Sequence, residues 1–257
     1  MIDLHAHILP GLDDGPAEMS ESIQMCRMAY KDGVRSIVAT PHMNDGMYNI
    51  TASQMREKAS QITDALAQDG VTMNILPGGD ISLTPETLGK LQSGEISTVA
   101  ENGVYVMLEL PNDVVPVKLH ETIFEIQSAG YIPIISHIER YSSVQTNISN
   151  MEKMVEWGVV TQLTAASIIG EFGKAAKECS MELIKCRLGH VVASDMHGVK
   201  KRPPGQMLRA RRLIETILSG SEVEMMFDVW PEAIIKGELF DAPDPVKKEK
   251  KWWRIFN

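Results

Sequence analysis

The sequence predicts an α/β fold, a distorted (β/α)7 TIM-like barrel, on three observations. Short apolar runs alternate with stretches of helical period, which implies parallel strands joined by crossover helices. Seven such runs are countable along the 257 residues. No glycine-rich phosphate loop follows the first run, which disfavours a nucleotide-binding open sheet. An open doubly wound sheet is the alternative, because periodicity does not reveal closure.

The strands are read at residues 2–5, 34–40, 71–76, 104–110, 131–136, 159–163 and 190–194. Between the first two, Met19, Ile23, Cys26 and Tyr30 form one apolar stripe of a helix over 18–31, and Gly33 stops it. Thr51 with Gln54 forms a capping-box signal for a helix reaching Gln68. Thr84-Pro85 reads as an N-cap with proline in the first helical position. Leu119, Ile123 and Ile126 mark a helix ended by Gly130. Further helices are expected over 151–157, 171–187, 205–219 and 222–236. A single barrel domain over 1–240 is expected, followed by a proline-bearing linker and a basic, aromatic tail over 241–257.

Hydrophobic residues make up 44% and charged residues 23%, a composition able to offset chain entropy by burial. No apolar run approaches the ~18 residues of a membrane span. The opening MIDLHAH has no basic, apolar leader, so no secretory signal is expected. Cys26, Cys179 and Cys186 are odd in number and scattered, which fits reduced thiols in the cytoplasm. The net charge of -9 argues against nucleic-acid binding. The last eleven residues hold five Lys/Arg and one Glu, leaving -13 on the rest. With Trp252, Trp253 and Phe256, this tail has two readings: contact with an anionic membrane surface, or a solubilising end or subunit contact.

Function is read from where the histidines and acids fall. In parallel α/β folds the site lies at the carboxyl ends of the strands. That rim collects His5 and His7, His42, Asp80, Glu109, His137, and Asp195 with His197. His-x-His on a strand puts both imidazoles on one face, and Asp195-x-His197 repeats the spacing. Mixed imidazole and carboxylate donors suit Zn, Mn or Fe. So many donors exceed the needs of one ion, which points to two or three. Asp13-Asp14, in the loop after the first strand, adds one more ligand from either residue. Arg140 and Arg202 flank the rim and suit a phosphate group. His120 and His190 read as structural. Met43 and Met47, after His42, are placed to line an aromatic-accepting cleft.

The segments MIDLHAHILPGLDDGP, TPH, PGGD, LEL, SHIERY and SDMHGVKKRPP together resemble the polymerase-and-histidinol-phosphatase (PHP) superfamily. Within it they resemble the manganese-dependent bacterial protein-tyrosine phosphatases of capsule and exopolysaccharide operons. The resemblance implies a (β/α)7 barrel with three metals, Mn2+ first and Zn2+, Fe or Co2+ as alternatives. It implies one ion on His5, His7, Asp80 and Asp195, and a second sharing Asp80 with Glu109 and His137. The third would take Asp14, His42 and His197, which favours Asp14 over Asp13. Arg140 and Arg202 match the family's phosphate-contacting arginines. The chain departs from the family's usual glutamate at Asp80, whose shorter arm must still reach two ions if it bridges them. The implied substrate is a tyrosine-phosphorylated protein, a bacterial tyrosine kinase at the inner face of the membrane.

The expected chemistry is in-line attack on phosphorus by a metal-bridging hydroxide, with the metals and arginines taking up charge. Another PHP-type phosphomonoesterase, acting on histidinol phosphate or a nucleotide, is the alternative. A non-catalytic barrel that holds too little metal is a rival of a different class. A cysteine phosphatase needs Arg six residues after its nucleophile. Those positions hold Asp32, Lys185 and Val192.

Overall fold

The computed structural model describes residues 1–111 and 118–246. Its strands are β1 (Ile2–Ala6), β2 (Ser36–Ala39), β3 (His42–Met43), β4 (Asn74–Pro77), β5 (Asp80–Ser82), β6 (Tyr105–Glu109), β7 (Ile132–Ile135), β8 (Val160–Thr164) and β9 (Val191–Ala193). All pairings between them are parallel, in the orders β1-β2-β4 and β3-β5-β6-β7-β8-β9. The second sheet is curled, and its end lies beside β1. Ala6 bridges Met196, Asp195 N donates to His5 O at 2.8 Å, and His7 N donates to Met196 O at 2.9 Å.

The described residues thus hold nine strand segments where the sequence reading expects seven. The extra two arise from breaks. Between β2 and β3 stands Pro41, which has no N–H to give a ladder. Between β4 and β5 stand Gly78 and Gly79. A Cβ on Gly78 would lie 2.7 Å from Val38 Cγ1 in the packed strand, and one on Gly79 2.7 Å from Met43 Sδ, so a side chain at either position would displace a neighbour. Each break turns the chain just before a polar site residue, His42 after the first and Asp80 after the second. His42 and Asp80 then pair in register.

The helices are α1 (Met19–Lys31), α2 (Ala52–Gln68), α3 (Thr87–Ser93), α4 (Leu119–Ser128), α5 (Ser142–Thr146), α6 (Ser149–Glu156), α7 (Ala165–Ile169), α8 (Lys174–Lys185), α9 (Met207–Ile214), α10 (Gly220–Glu224) and α11 (Trp230–Lys236). The capping box at Thr51 forms in both directions. Thr84 does not cap: α3 begins at Thr87, and Thr84 instead accepts from Glu86 N and Thr87 N in a turn. The helix expected over 171–187 starts three residues later, after a loop bounded by Gly170 and Gly173, both with positive φ. The one expected over 222–236 is interrupted by a π turn at Met225–Val229, just ahead of Pro231.

All residues of β2 and β8 are buried, as in a sheet covered on both faces. Leu4, Ile37, Val106, Leu108, Ile135, Leu163 and Val191 are fully inaccessible. At the far end of the strands from the rim, Tyr105 Oη donates to Glu238 O, and Phe240 stacks on Trp230 at 5.5 Å. Val246 N donates to Cys186 O, so the expected linker runs along the body. Residues 247–257, with the expected basic tail and its aromatic residues, lie outside the described residues. Among the described residues no helix is long and apolar enough to cross a membrane.

Candidate metal centre

The strand ends build one polar cluster inside the rim. β1 carries His5, His7 follows its last residue, and the two rings fall on the same side with Nε2 atoms 3.1 Å apart. β3 begins with His42, β5 begins with Asp80, and β6 ends with Glu109. His137 stands two residues after β7, beyond Ser136, while Asp195 and His197 follow β9. His137, Asp195 and Arg202 all have left-handed backbones, with φ of 36°, 53° and 52°. Each such non-glycine residue costs on the order of 1 kcal/mol or more, held in place by the surrounding fold.

The nine expected ligands all meet here. His5 Nε2 lies 3.5 Å from both Asp80 Oδ2 and Asp195 Oδ1. His42 reaches Asp14 Oδ1 at 3.6 Å, Asp80 Oδ2 at 3.6 Å and Glu109 Oε2 at 3.8 Å. His137 Nε2 is 3.3 Å from Glu109 Oε1, and His197 Nε2 is 3.4 Å from Asp14 Oδ1. Three donor sets have ligand atoms mutually within 4.8 Å: His7, Asp14, His42 and His197; His5, His7 and Asp80; and His42, Asp80 and Glu109. The grouping differs in detail from the expected one. His7 serves two sets, and so does His42.

Two neighbours orient the His-x-His pair. Asp13 Oδ2 accepts from His7 Nδ1 at 2.6 Å and from His42 N at 3.2 Å. Gln162 Oε1 accepts from His5 Nδ1 at 3.1 Å and from His137 N at 2.9 Å. With both Nδ1 protons committed, the two Nε2 atoms carry lone pairs, and they face each other at 3.1 Å. Two lone pairs so placed repel unless a cation lies between or beside them. Asp80 Oδ2 is buried with no hydrogen-bond partner, and so is His137 Nδ1. This donor set fits a borderline transition-metal ion, with carboxylate and imidazole donors held by outer partners.

The electrostatics agree. Burial pushes His5 down to about 4, and His7 and His197 down to about 3, so these imidazoles are neutral at pH 7. Burial raises the Asp80 carboxyl. Burial would also raise Glu109, but the hydrogen bond and charge of His137 overcome it and hold Glu109 near 2. Asp195 likewise resists burial: at the acid pH where its carboxyl titrates, protonated His5 and the Arg202 guanidinium keep it below the usual carboxylate range.

Arg140 and Arg202 close on the same carboxylate oxygen. Arg140 Nη1 donates to Asp195 Oδ2 at 2.6 Å, and Arg202 Nη2 lies 3.2 Å from it. Both guanidinium groups remain partly exposed. Beside Arg140, a cavity of about 440 Å3 is bounded by Ser82, Glu109, Pro111, His137 and Tyr141. A second, of about 500 Å3, shares Asn44, Asp45 and Thr84 with the first, and Met43, Met47 and Tyr48 line it.

His120 packs on Trp157, and His190 Nδ1 accepts from Thr161 N, both away from the cluster. The three cysteines are buried, and burial lifts Cys26 and Cys179 to about 12, which denies them a nucleophilic thiolate. Sequence reasoning missed Gln162 and Glu139. Gln162 was visible as an amide inside a buried strand. Glu139 is fully buried and accepts from Thr164 N at 3.1 Å.

The capsular polysaccharide synthesis family CpsB/CapC matches residues 1–236. The tyrosine-protein phosphatase YwqE of Bacillus subtilis is 35% identical over 252 residues, covering 97% of this chain and 98% of that protein. The tyrosine-protein phosphatase CpsB of Streptococcus pneumoniae is 30% identical, covering 93% of this chain and all of that one. A crystal structure from work on YwqE and CpsB, described as unique metal-dependent tyrosine phosphatases, superposes with a TM-score of 0.89 at 34% identity. It covers 96% of this chain and 100% of that chain. The phosphotriesterase homology protein of Escherichia coli shares the fold alone, with a TM-score of 0.58 at 13% identity, covering 91% of this chain and 97% of that one.

Proposed function

The chain belongs to the CpsB/CapC family of capsular polysaccharide synthesis, and on that premise we propose that it is a metal-dependent protein-tyrosine phosphatase. The observation that carries the metal requirement is the pair of opposed Nε2 lone pairs on His5 and His7, ringed by carboxylates. We read the donors as His5, His7, Asp14, His42, Asp80, Glu109, His137, Asp195 and His197, holding two or three ions, with Mn2+ as the native metal. Seven staves are counted when β2 with β3 and β4 with β5 are each taken as one interrupted strand. The barrel domain is taken as 1–240.

Bound metal would supply Lewis acidity and a water ionised near neutral pH. The chain's own residues do the rest. Asp13 and Gln162 hold the His7 and His5 rings with both Nε2 atoms turned into the cluster, where they would hold the ion. Arg140 and Arg202 turn their free N–H groups to the phosphoryl oxygens and neutralise charge as it grows there. Tyrosine, with a pKa of about 10, leaves as a phenolate without strong acid assistance.

The substrate in this reading is phosphotyrosine on a protein, a bacterial tyrosine kinase that governs capsule or exopolysaccharide synthesis. The enzyme works in the cytoplasm at the inner membrane face, where that kinase sits. The test compares turnover of a phosphotyrosine peptide with histidinol phosphate, on protein of measured metal content. Preference for the peptide is expected. Preference for histidinol phosphate would overturn the substrate assignment.

A further inference from the structure

One aromatic side chain touches both arginines. The Phe172 ring centroid lies 5.0 Å from Arg140 Cζ and 5.5 Å from Arg202 Cζ. These two cations come from different segments, one after β7 and one after β9. They converge on one oxygen, Asp195 Oδ2, so their mutual repulsion is only partly cancelled. A π face within ~6 Å attracts a guanidinium and favours a set orientation of its plane.

The loop that presents Phe172 is built for placement. It runs Gly170-Glu171-Phe172-Gly173 between α7 and α8, and both glycines have positive φ, 95° and 90°. Glu171 N donates to Ala166 O at 2.8 Å. The Glu171 carboxylate accepts from Gln206 Nε2 at 2.5 Å and from Arg209 Nη1 at 2.8 Å, bracing the loop against the segment that follows Arg202.

We infer that Phe172 is a positioning residue that sets Arg140 and Arg202 for the phosphoryl group. The inference rests on the phosphatase reading, in which those arginines grip phosphate. Phe172 itself touches no reacting atom.

The experiment uses the full chain purified with Mn2+ and measures kcat and KM on p-nitrophenyl phosphate and on a phosphotyrosine peptide. It also measures the inhibition constant of inorganic phosphate. Phe172→Leu keeps apolar bulk and removes the π face. It is expected to lower kcat/KM about 10-fold and to weaken phosphate inhibition in parallel, with metal content and melting temperature unchanged. Phe172→Tyr is expected to stay within about twofold of the parent. In an Arg140→Ala, Arg202→Ala background the Phe172→Leu loss should vanish, because the interaction it reports is gone. Parent-like kinetics for Phe172→Leu would overturn the inference. So would equal damage from Phe172→Tyr, or an undiminished loss in the double-arginine background. If the parent hydrolyses p-nitrophenyl phosphate but not the peptide, the substrate assignment fails and the first substrate still decides Phe172. If it hydrolyses neither, titration of inorganic phosphate into the Mn2+-loaded parent and variants decides it.

Discussion

His7 Nδ1 and Asp13 Oδ2 stand 2.6 Å apart, and that bond points the other imidazole nitrogen of His7 into the cluster. The same carboxylate oxygen accepts from His42 N, so one acid orders parts of two strand ends. Asp13→Ala is therefore expected to weaken metal retention or activity about 10- to 100-fold. Dialysis against graded chelator followed by elemental analysis checks this. Unchanged retention would show that the His7 ring needs no outer partner.

Asp80 is fully buried, and its Oδ2 lies 3.5 Å from His5 and 3.6 Å from His42 with no donor of its own. Asp80→Asn keeps the shape and removes the charge. Metal content should fall and turnover should drop by at least about 100-fold, with the fold retained by circular dichroism. Full metal content in Asp80→Asn would remove Asp80 from the donor set.

Arg140 and Arg202 share Asp195 Oδ2, so they should act as a coupled unit. Arg140→Lys and Arg202→Lys each replace a planar fork by a point charge, and each is expected to lower kcat/KM about 10- to 100-fold. The double substitution should cost less than the product of the two. Strict multiplicativity would mean that the arginines work independently.

His190 supplies a pH test away from the cluster. Burial lowers its pKa to about 4, while an unfolded histidine titrates near 6.5. Below pH 6.5 the unfolded chain binds the extra proton, so stability falls as pH falls. Its contribution is fully present above about pH 6.5 and is lost progressively down to about 4, on the order of 3 kcal/mol in all. Urea unfolding at pH 7 and pH 5 checks this. His190→Gln should show a shallower dependence, with the Thr161 N–H still able to find an acceptor. An identical slope would mean that His190 is already protonated in the fold.

Much of the cluster was legible because strand ends leave a simple trace: a polar residue directly after an apolar run. His5, His137 and Asp195 announce themselves that way, His7 and His197 repeat them two residues on, His42 and Asp80 follow after a short proline or glycine turn, and the structure brings them together. Phe172 was hidden, since an aromatic residue between two glycines reads as an ordinary loop. Gln162 was visible as an amide in an apolar strand, but its role was not. Strand periodicity marks which residues share a face but not that one amide oxygen will meet both His5 and His137. The breaks at Pro41 and Gly78-Gly79 escaped as well. Apolar runs record burial, and burial continues through a break that the hydrogen-bond ladder does not survive.

The central claim is that metal held by this cluster performs phosphotyrosine hydrolysis. One titration addresses it: hydrolysis of a phosphotyrosine peptide by the full chain, stripped with chelator and then reloaded with Mn2+ in steps, with bound metal counted at each step. Activity should be absent in the stripped protein and should rise with bound metal to a plateau at two or three ions per chain. Full activity in protein shown to contain no metal would contradict the account.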